Sequence, residues 1–335
     1  MKVVIPVAGR GSNLRPLTNT QPKALLPVAG KPIIGHIIDF FKEKGFKEFV
    51  LIIGYMGTRI EEFVRTHYKD NEDLTFEFVV QVPREGSAHA IWAAKESLKE
   101  ETELLICLGD SIVELDFERF MKIDGCAVGV RKIDKPTDFG IAELSKDGYV
   151  KRLVEKPRIP MSNLGLVGIY KIDDAKALIE AIAYIIKNEI TTNNEFHLTD
   201  ALQQMLVKGS KFTAMEVNSW FDCGHKDTLL AANATLLARP NFPLSTEEEC
   251  ENCVLIQPVK IGKNCKISNS IIGPNVVIGD DSIIDGCVVR NSIIGTFSKL
   301  EQLILESSLV GHDSTLKGAF QSLNLGDHTD IRFGS

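Results

Sequence analysis

The chain has 335 residues, enough for two domains that each bury a core. With 44% hydrophobic and 25% charged residues it has a globular composition, and a net charge of −7 excludes the broad basic footprint of a nucleic-acid binder. No apolar run reaches bilayer-spanning length, and the first one is interrupted by Pro6, so a cytoplasmic protein with neither signal peptide nor membrane partner is expected.

Val3–Ala8 reads as a buried strand. It runs into Gly9-Arg10-Gly11-Ser12-Asn13-Leu14-Arg15-Pro16-Leu17-Thr18, and Gln21-Pro22-Lys23 follows. Glycines at a strand exit let the backbone approach a ligand closely, so several N–H groups can face one anion. With a lysine close behind, the segment is a candidate triphosphate cradle. It is not a dinucleotide fingerprint, because position 14 is Leu, and it is not a P-loop. Helical patterns near Ile33–Lys44, Gly57–Tyr68 and Ser87–Leu98 then alternate with strand patterns at Glu48–Gly54, Thr75–Gln81 and Leu104–Leu108. Such alternation predicts an α/β domain, Rossmann-like, with a mostly parallel sheet. Ligands of such sheets bind beyond the carboxyl ends of the strands, where Gly9, Gln81 and Asp110 all fall.

The pattern changes near residue 239. Pro240, Pro243 and Glu247-Glu248-Glu249 mark a linker, which divides the chain into an expected domain 1–238, a linker 239–253 and a second domain 254–335. In the second domain Ile261 and Ile267, then Ile272, Ile278 and Ile284, then Ile294 and Leu300 recur at six-residue spacing. One aliphatic side chain per short strand into a common core is the hexapeptide signature of a β-helix, by resemblance a left-handed one. The seven cysteines include Cys107, Cys126 and Cys287 in apolar surroundings, which fits reduced thiols. Cys250-x-x-Cys253, with Cys265 beyond, lacks a second ligand pair, so packing is expected over zinc. His312 and His328 lie in no recognisable acyl-transfer motif. The β-helix is therefore expected to serve oligomerisation or regulation, with a homo-oligomer as the expected assembly.

The N-terminal segment resembles the signature of the sugar-1-phosphate nucleotidylyltransferases, G-x-G-T-R-L-x-P-x-T followed by P-K-x-L-x-P. Gly9, Gly11, Leu14, Pro16, Thr18, Pro22, Lys23, Leu25 and Pro27 stand in register with it. Leu108-Gly109-Asp110, Val154-Glu155-Lys156-Pro157 and Trp220-Phe221-Asp222-Cys223-Gly224 are similar to further motifs of that family, and Gln81-x4-Gly86-Ser87 to its base-reading segment. Phe139-Gly140 and Leu198-Thr199-Asp200 resemble sugar-site segments more weakly. The resemblance implies transfer of a nucleotidyl group from a nucleoside triphosphate, dTTP or UTP favoured, to a sugar 1-phosphate. It implies Mg²⁺ on Asp110 and Asp222, and a nucleotide site from Ala8, Gly9, Gly11, Ser12, Gln81, Gly86, Ser87 and Gly109. Gly140, Glu155, Lys156, Val167 and Thr199 would bind the sugar phosphate, and Lys23 would neutralise charge at the α-phosphate. As bare residues, Asp110 can equally cap a turn, Ser87 can cap a helix, and His89 is expected to pack rather than react.

Where the family carries an arginine, this chain has Asn13, the fifth candidate catalytic position beside Lys23, Asp110, Lys156 and Asp222. A guanidinium there would stabilise the departing pyrophosphate with a fixed charged fork, and asparagine is neutral and shorter. Arg10 and Arg15 are near but out of register. A slow enzyme, a non-catalytic nucleotide-sugar-binding subunit and a substitution that traps a complex all remain open. Retained ligand binding with reduced turnover is the favoured expectation. A bifunctional enzyme with acyl transfer at the β-helix is the third alternative.

Overall fold

The computed structural model describes residues 1–246 and 250–318, and it divides into two compact units, Met1–Ala232 and Asn233–Ser335. The first unit begins with β1 (Lys2–Pro6), a short pair β2 (Pro27–Val28) and β3 (Lys31–Pro32), then α1 (Ile33–Glu43), β4 (Glu48–Ile53), α2 (Gly57–His67) and β5 (Thr75–Val80). It continues with α3 (Ser87–Ala93), α4 (Lys95–Leu98), β6 (Leu104–Cys107), β7 (Ser111–Glu114), α5 (Phe117–Met121), β8 (Cys126–Lys132), β9 (Gly140–Leu144) and β10 (Val150–Glu155). The rest comprises β11 (Leu164–Ile172), α6 (Ala175–Lys187), α7 (Leu198–Val207), β12 (Phe212–Glu216), β13 (Ser219–Asp222) and α8 (Lys226–Leu237), inside which the division falls.

The large sheet has the order β10-β9-β11-β6-β1-β4-β5, with β8 paired to β11 and β12. Its half around β1 is parallel: β6, β1, β4 and β5 run the same way, as the alternation of strands and helices requires. The other half is mixed, because β11 runs antiparallel to β6, β8 and β9, and β9 to β10. Val3, Val4 and Ile5 of β1 are fully buried, as expected of a central strand covered on both faces. Helix α1 buries Ile33, Ile34, Ile37, Ile38 and Phe41 at helical spacing. Each such side chain stabilises by about 1.5–3 kcal/mol relative to exposure.

The chain leaves β1 toward β4 on one side and later returns to β6 on the other. This reversal of direction opens a crevice at the carboxyl ends of β1 and β6, the place where open α/β sheets bind ligands. The glycine-rich loop leaves β1 there, and Gly109-Asp110 leaves β6 beside it. A separate antiparallel pair, β7 with β13, sets Asp222 opposite Ser111.

The second unit is a left-handed β-helix of three four-stranded parallel sheets. One sheet comprises Val254–Leu255, Ile271–Ile272, Val288–Arg290 and Ile304–Glu306. Ile267, Ile272, Ile278, Ile284, Val289, Ile294 and Leu300 form its buried core. A coil takes 16 or 17 residues, since Val254 pairs with Ile271, Ile271 with Val288, and Val288 with Ile304. The six-residue period is thus shortened within each coil, which is why the spacing slips between Ile267 and Ile272. Corners hold residues in the left-handed region, among them Asn264, Asn269, Asn275, Asp281 and Asn291 (φ 43–61°), where short polar side chains are tolerated best. Cys250, Cys253 and Cys265 pack against this core. His312 Nδ1 accepts from Thr296 N–H at 2.9 Å, while His328 lies outside the described residues. No helix among the described residues is long and apolar enough to cross a membrane.

Candidate active site

The glycine loop is held by its own residues. Gly11 sits at φ 65°, and a Cβ there would come within 2.8 Å of Lys23 Cβ, so both conformation and proximity demand glycine. Thr18 Oγ1 donates to Gly11 O (2.8 Å), and Leu14 plugs into the core with its N–H on the same carbonyl (3.0 Å). This packing brings the Lys23 side chain back under the loop, where its ammonium donates to Asp110 Oδ2 at 2.7 Å.

Asp110 and Asp222 meet through β7 and β13, and Cys223 N–H donates to Asp110 O (2.9 Å). Burial pushes the Asp110 carboxyl up, but the Lys23 ammonium and Ser111 pull it below the ordinary range. Asp222 moves the other way: burial and the neighbouring Asp110 charge raise it. Burial lowers the Lys23 ammonium, while Asp110 and Asp222 together hold it above its ordinary value. Asp222, whose proton affinity the neighbouring Asp110 charge raises, stands where added positive charge is favoured. The all-oxygen donor set of the two carboxylates fits a hard divalent cation that completes its shell with phosphate and water. Among the described residues no group of three or more His, Cys, Asp or Glu suits a metal cage.

The cleft beyond has a volume of about 820 Å³. At one end Gln81 is buried, with its amide Nε2 donating to Gly86 O (2.9 Å) and near His89 Nδ1 (3.3 Å). Ser87 is the first residue of α3 rather than its cap: Gly86 holds that position, and Ser87 Oγ instead accepts from Leu198 N–H at 2.9 Å. At the other end Glu155 Oε1 lies 3.4 Å from His197 Nδ1. Lys156 adopts φ 41°, a costly conformation for a side-chain-bearing residue and one that clusters at functional sites. Burial and the Glu155 charge raise Asp200 to about 6. Trp220 packs edge-to-face on Phe139 (5.0 Å, 75°), and its buried indole N–H has no hydrogen-bond partner among the described residues. A buried donor without a partner is uncommon and here borders the cleft.

Ala8, Gly9, Gly11, Ser12, Asn13, Lys23, Gln81, Gly86, Ser87, Gly109, Asp110, Gly140, Glu155, Lys156, Thr199 and Asp222 all line this one cleft. Val167 does not: it is fully buried in β11, and its neighbours Leu166 and Gly168 face the cleft instead. Sequence reasoning missed Tyr170, Gly168 and His197 as lining residues. Only Gly168 carried a signal, since an isolated glycine in a strand marks a bulge or a close approach. It sits at φ 87°, within a register shift between β11 and β8.

The family model for nucleotidyl transferases matches residues 2–239. The bifunctional protein GlmU of Methanocaldococcus jannaschii is 35% identical over 256 residues, covering 76% of this chain and 59% of that protein. The chain thus spans about three fifths of GlmU's length. A glucose-1-phosphate thymidylyltransferase of Streptomyces antibioticus is 30% identical over 298 residues, covering 86% of this chain and 81% of that protein. Among solved structures, a putative glucose-1-phosphate thymidylyltransferase from Bacillus anthracis in complex with sucrose superimposes with a TM-score of 0.60 at 28% identity, covering 72% of this chain and 97% of that one. Both the sequence match across the first unit and the cleft at its strand ends lead to one conclusion: the chain belongs to the nucleotidyl transferase family.

Proposed function

We propose that this protein is a sugar-1-phosphate nucleotidylyltransferase. The observation that carries the reading is the cluster of Lys23, Asp110 and Asp222 beside the glycine loop, in a cleft of about 820 Å³ that Gln81 and Glu155 also line. A phosphate oxygen of the sugar 1-phosphate attacks the α-phosphorus of the triphosphate. The new O–P bond forms as the bond to the β-phosphate oxygen breaks, and pyrophosphate leaves. The nucleophile is already an anion, so no general base is needed, and catalysis is positioning and charge neutralisation. Lys23 neutralises charge at the α-phosphate, Lys156 holds the sugar phosphate, and the amides of Gly9 to Ser12 cradle the β- and γ-phosphates. Asp110 and Asp222 would hold Mg²⁺, which when bound offsets repulsion between the two phosphates.

Gln81 supports a uracil or thymine base. Its Nε2 is engaged by Gly86 O and lies near His89, which leaves the amide oxygen as the free acceptor. An acceptor suits a base with a ring N–H, as in uracil and thymine. Glu155, Thr199 and Gly140 form the sugar end. The homologues' names favour a glucose-like hexose. Pyrophosphate release with Mg²⁺, from dTTP, UTP, GTP, ATP and CTP against a panel of sugar 1-phosphates, tests the reading. Turnover with dTTP or UTP is expected. Silence across the panel, both for the chain as it stands and for Asn13→Arg, would leave a binding protein and refute the enzyme.

A further inference from the structure

The glycine loop carries a polar contact that the proposed reaction does not yet use. Asn13 Nδ2, in the glycine loop, lies 3.4 Å from His225 Nε2. The two residues are 212 positions apart, so the fold and not the local chain brings them together. Both are exposed, and neither is taken up by core packing. His225 follows the turn that sets the second carboxylate, where Gly224 N–H donates to Asp222 Oδ1 (3.0 Å). Its backbone is fixed at the start of α8, since its carbonyl accepts from Leu229 N–H (3.0 Å) and from Thr228 Oγ1 (3.1 Å). The imidazole therefore stands on a rigid base beside the loop.

We infer that Asn13 and His225 form a paired donor site for the β- and γ-phosphates and for the pyrophosphate that leaves. This rests on the proposed nucleotidyl transfer. The imidazole supplies, from the start of α8, the donor that the glycine loop lacks at Asn13. Hydrogen-bond chemistry supports the pairing. A carboxamide has two N–H donors, and an imidazole has one or two depending on its protonation. At 3.4 Å their mutual contact is beyond the usual range for an N–H donor. Bonds to an ionised phosphate oxygen are roughly twice as strong as neutral ones. An entering phosphate therefore replaces the contact and takes donors from both residues. Arg10 and Arg15, which line the cleft with Asn13, add positive charge beside the loop.

The test compares wild type with His225→Ala, His225→Lys, Asn13→Ala and the double alanine variant. Calorimetry gives Kd for pyrophosphate and for UMP or dTMP, and steady-state kinetics give KM for the triphosphate and for the sugar 1-phosphate. For His225→Ala, pyrophosphate Kd and triphosphate KM rise about tenfold, about 1.4 kcal/mol, while the monophosphate Kd and the sugar-phosphate KM stay put. His225→Lys keeps pyrophosphate affinity, which separates a lost donor from a disturbed helix start. The double variant loses less than the product of the single losses, because each residue acts through the same phosphate. Pyrophosphate affinity unchanged in His225→Ala, or a monophosphate loss of the same size, overturns the inference. If wild type turns over and His225→Ala matches it, only the inference fails. If wild type neither turns over nor binds a triphosphate, the underlying reading fails and the donor pair with it.

Discussion

Replacing Lys23 by Met removes the ammonium 2.7 Å from Asp110 and leaves two carboxylates facing one another. At that distance and an effective dielectric of about 20, the direct attraction is about 6 kcal/mol, which desolvation of the lysine opposes. Breaking a fully buried pair costs about 3–5 kcal/mol, and an exposed pair is worth about 0–1. This pair lies between, with the Lys23 side chain 16% exposed and that of Asp110 39%. A loss of about 2 kcal/mol follows, or roughly 4–8 °C in Tm for a unit of this size. Turnover should fall by about 10²–10³, as when one preorganised donor is lost. The sharper readout is thermal unfolding with and without Mg²⁺. The variant lacks its internal cation, so Mg²⁺ should raise its midpoint more than it raises that of wild type. A variant that melts with wild type, or an equal Mg²⁺ shift in both, would show that Lys23 and a metal do not share one electrostatic site.

Gly109→Ala tests the crevice itself. A Cβ there would lie 2.1 Å from Val7 Cγ1 and 2.7 Å from the Pro6 carbonyl, so the ends of β1 and β6 must part. About 1–3 kcal/mol of stability is lost, and turnover falls on the order of 10²-fold as the loop and Asp110 lose register; turnover near wild type in the folded variant would refute the geometry. Asp200→Asn tests the sugar end through pH. The folded protein holds the Asp200 proton to about pH 6 against an ordinary value of 3.8, so its stabilising contribution is full below that value and lost as pH rises through 6. Asparagine removes the penalty. The variant should be more stable than wild type by roughly 1 kcal/mol at about pH 8, a figure reduced for partial solvent screening, and equal to it at about pH 3. Urea midpoints at the two pH values measure this, and a pH-independent difference would count against the assignment.

The parallel half of the sheet was legible because strands and helices alternate with distinct periods: β1, β4, β5 and β6 fall within a residue or two of the expected ranges. The antiparallel strands β8 to β11 were not read, since that stretch carries no comparable alternation and their pairing is set by tertiary contact. The β-helix core showed in the recurring isoleucines, but the shortened coil did not, because it resides in the left-handed corners. At the site, Asp110 and Asp222 were readable as motifs. Their electrostatic coupling was not, as it requires β7 and β13 to pair across about a third of the chain. His197 and His225 lacked any pattern. Each acquires meaning only from what the fold sets beside it, Glu155 in one case and Asn13 in the other.

Polar groups of the proposed reaction face one another. Lys23 pairs with Asp110, Asn13 meets His225, Gln81 bonds Gly86, and Glu155 meets His197. A substrate therefore exchanges internal contacts for its own, and only the difference appears as affinity. That difference is small for a ground state whose charges resemble those it replaces. In the proposed transfer it grows as charge builds on the bridging oxygen of the departing pyrophosphate. The proposed transfer therefore predicts modest substrate affinity and tighter binding of the transition state, the condition for turnover rather than storage.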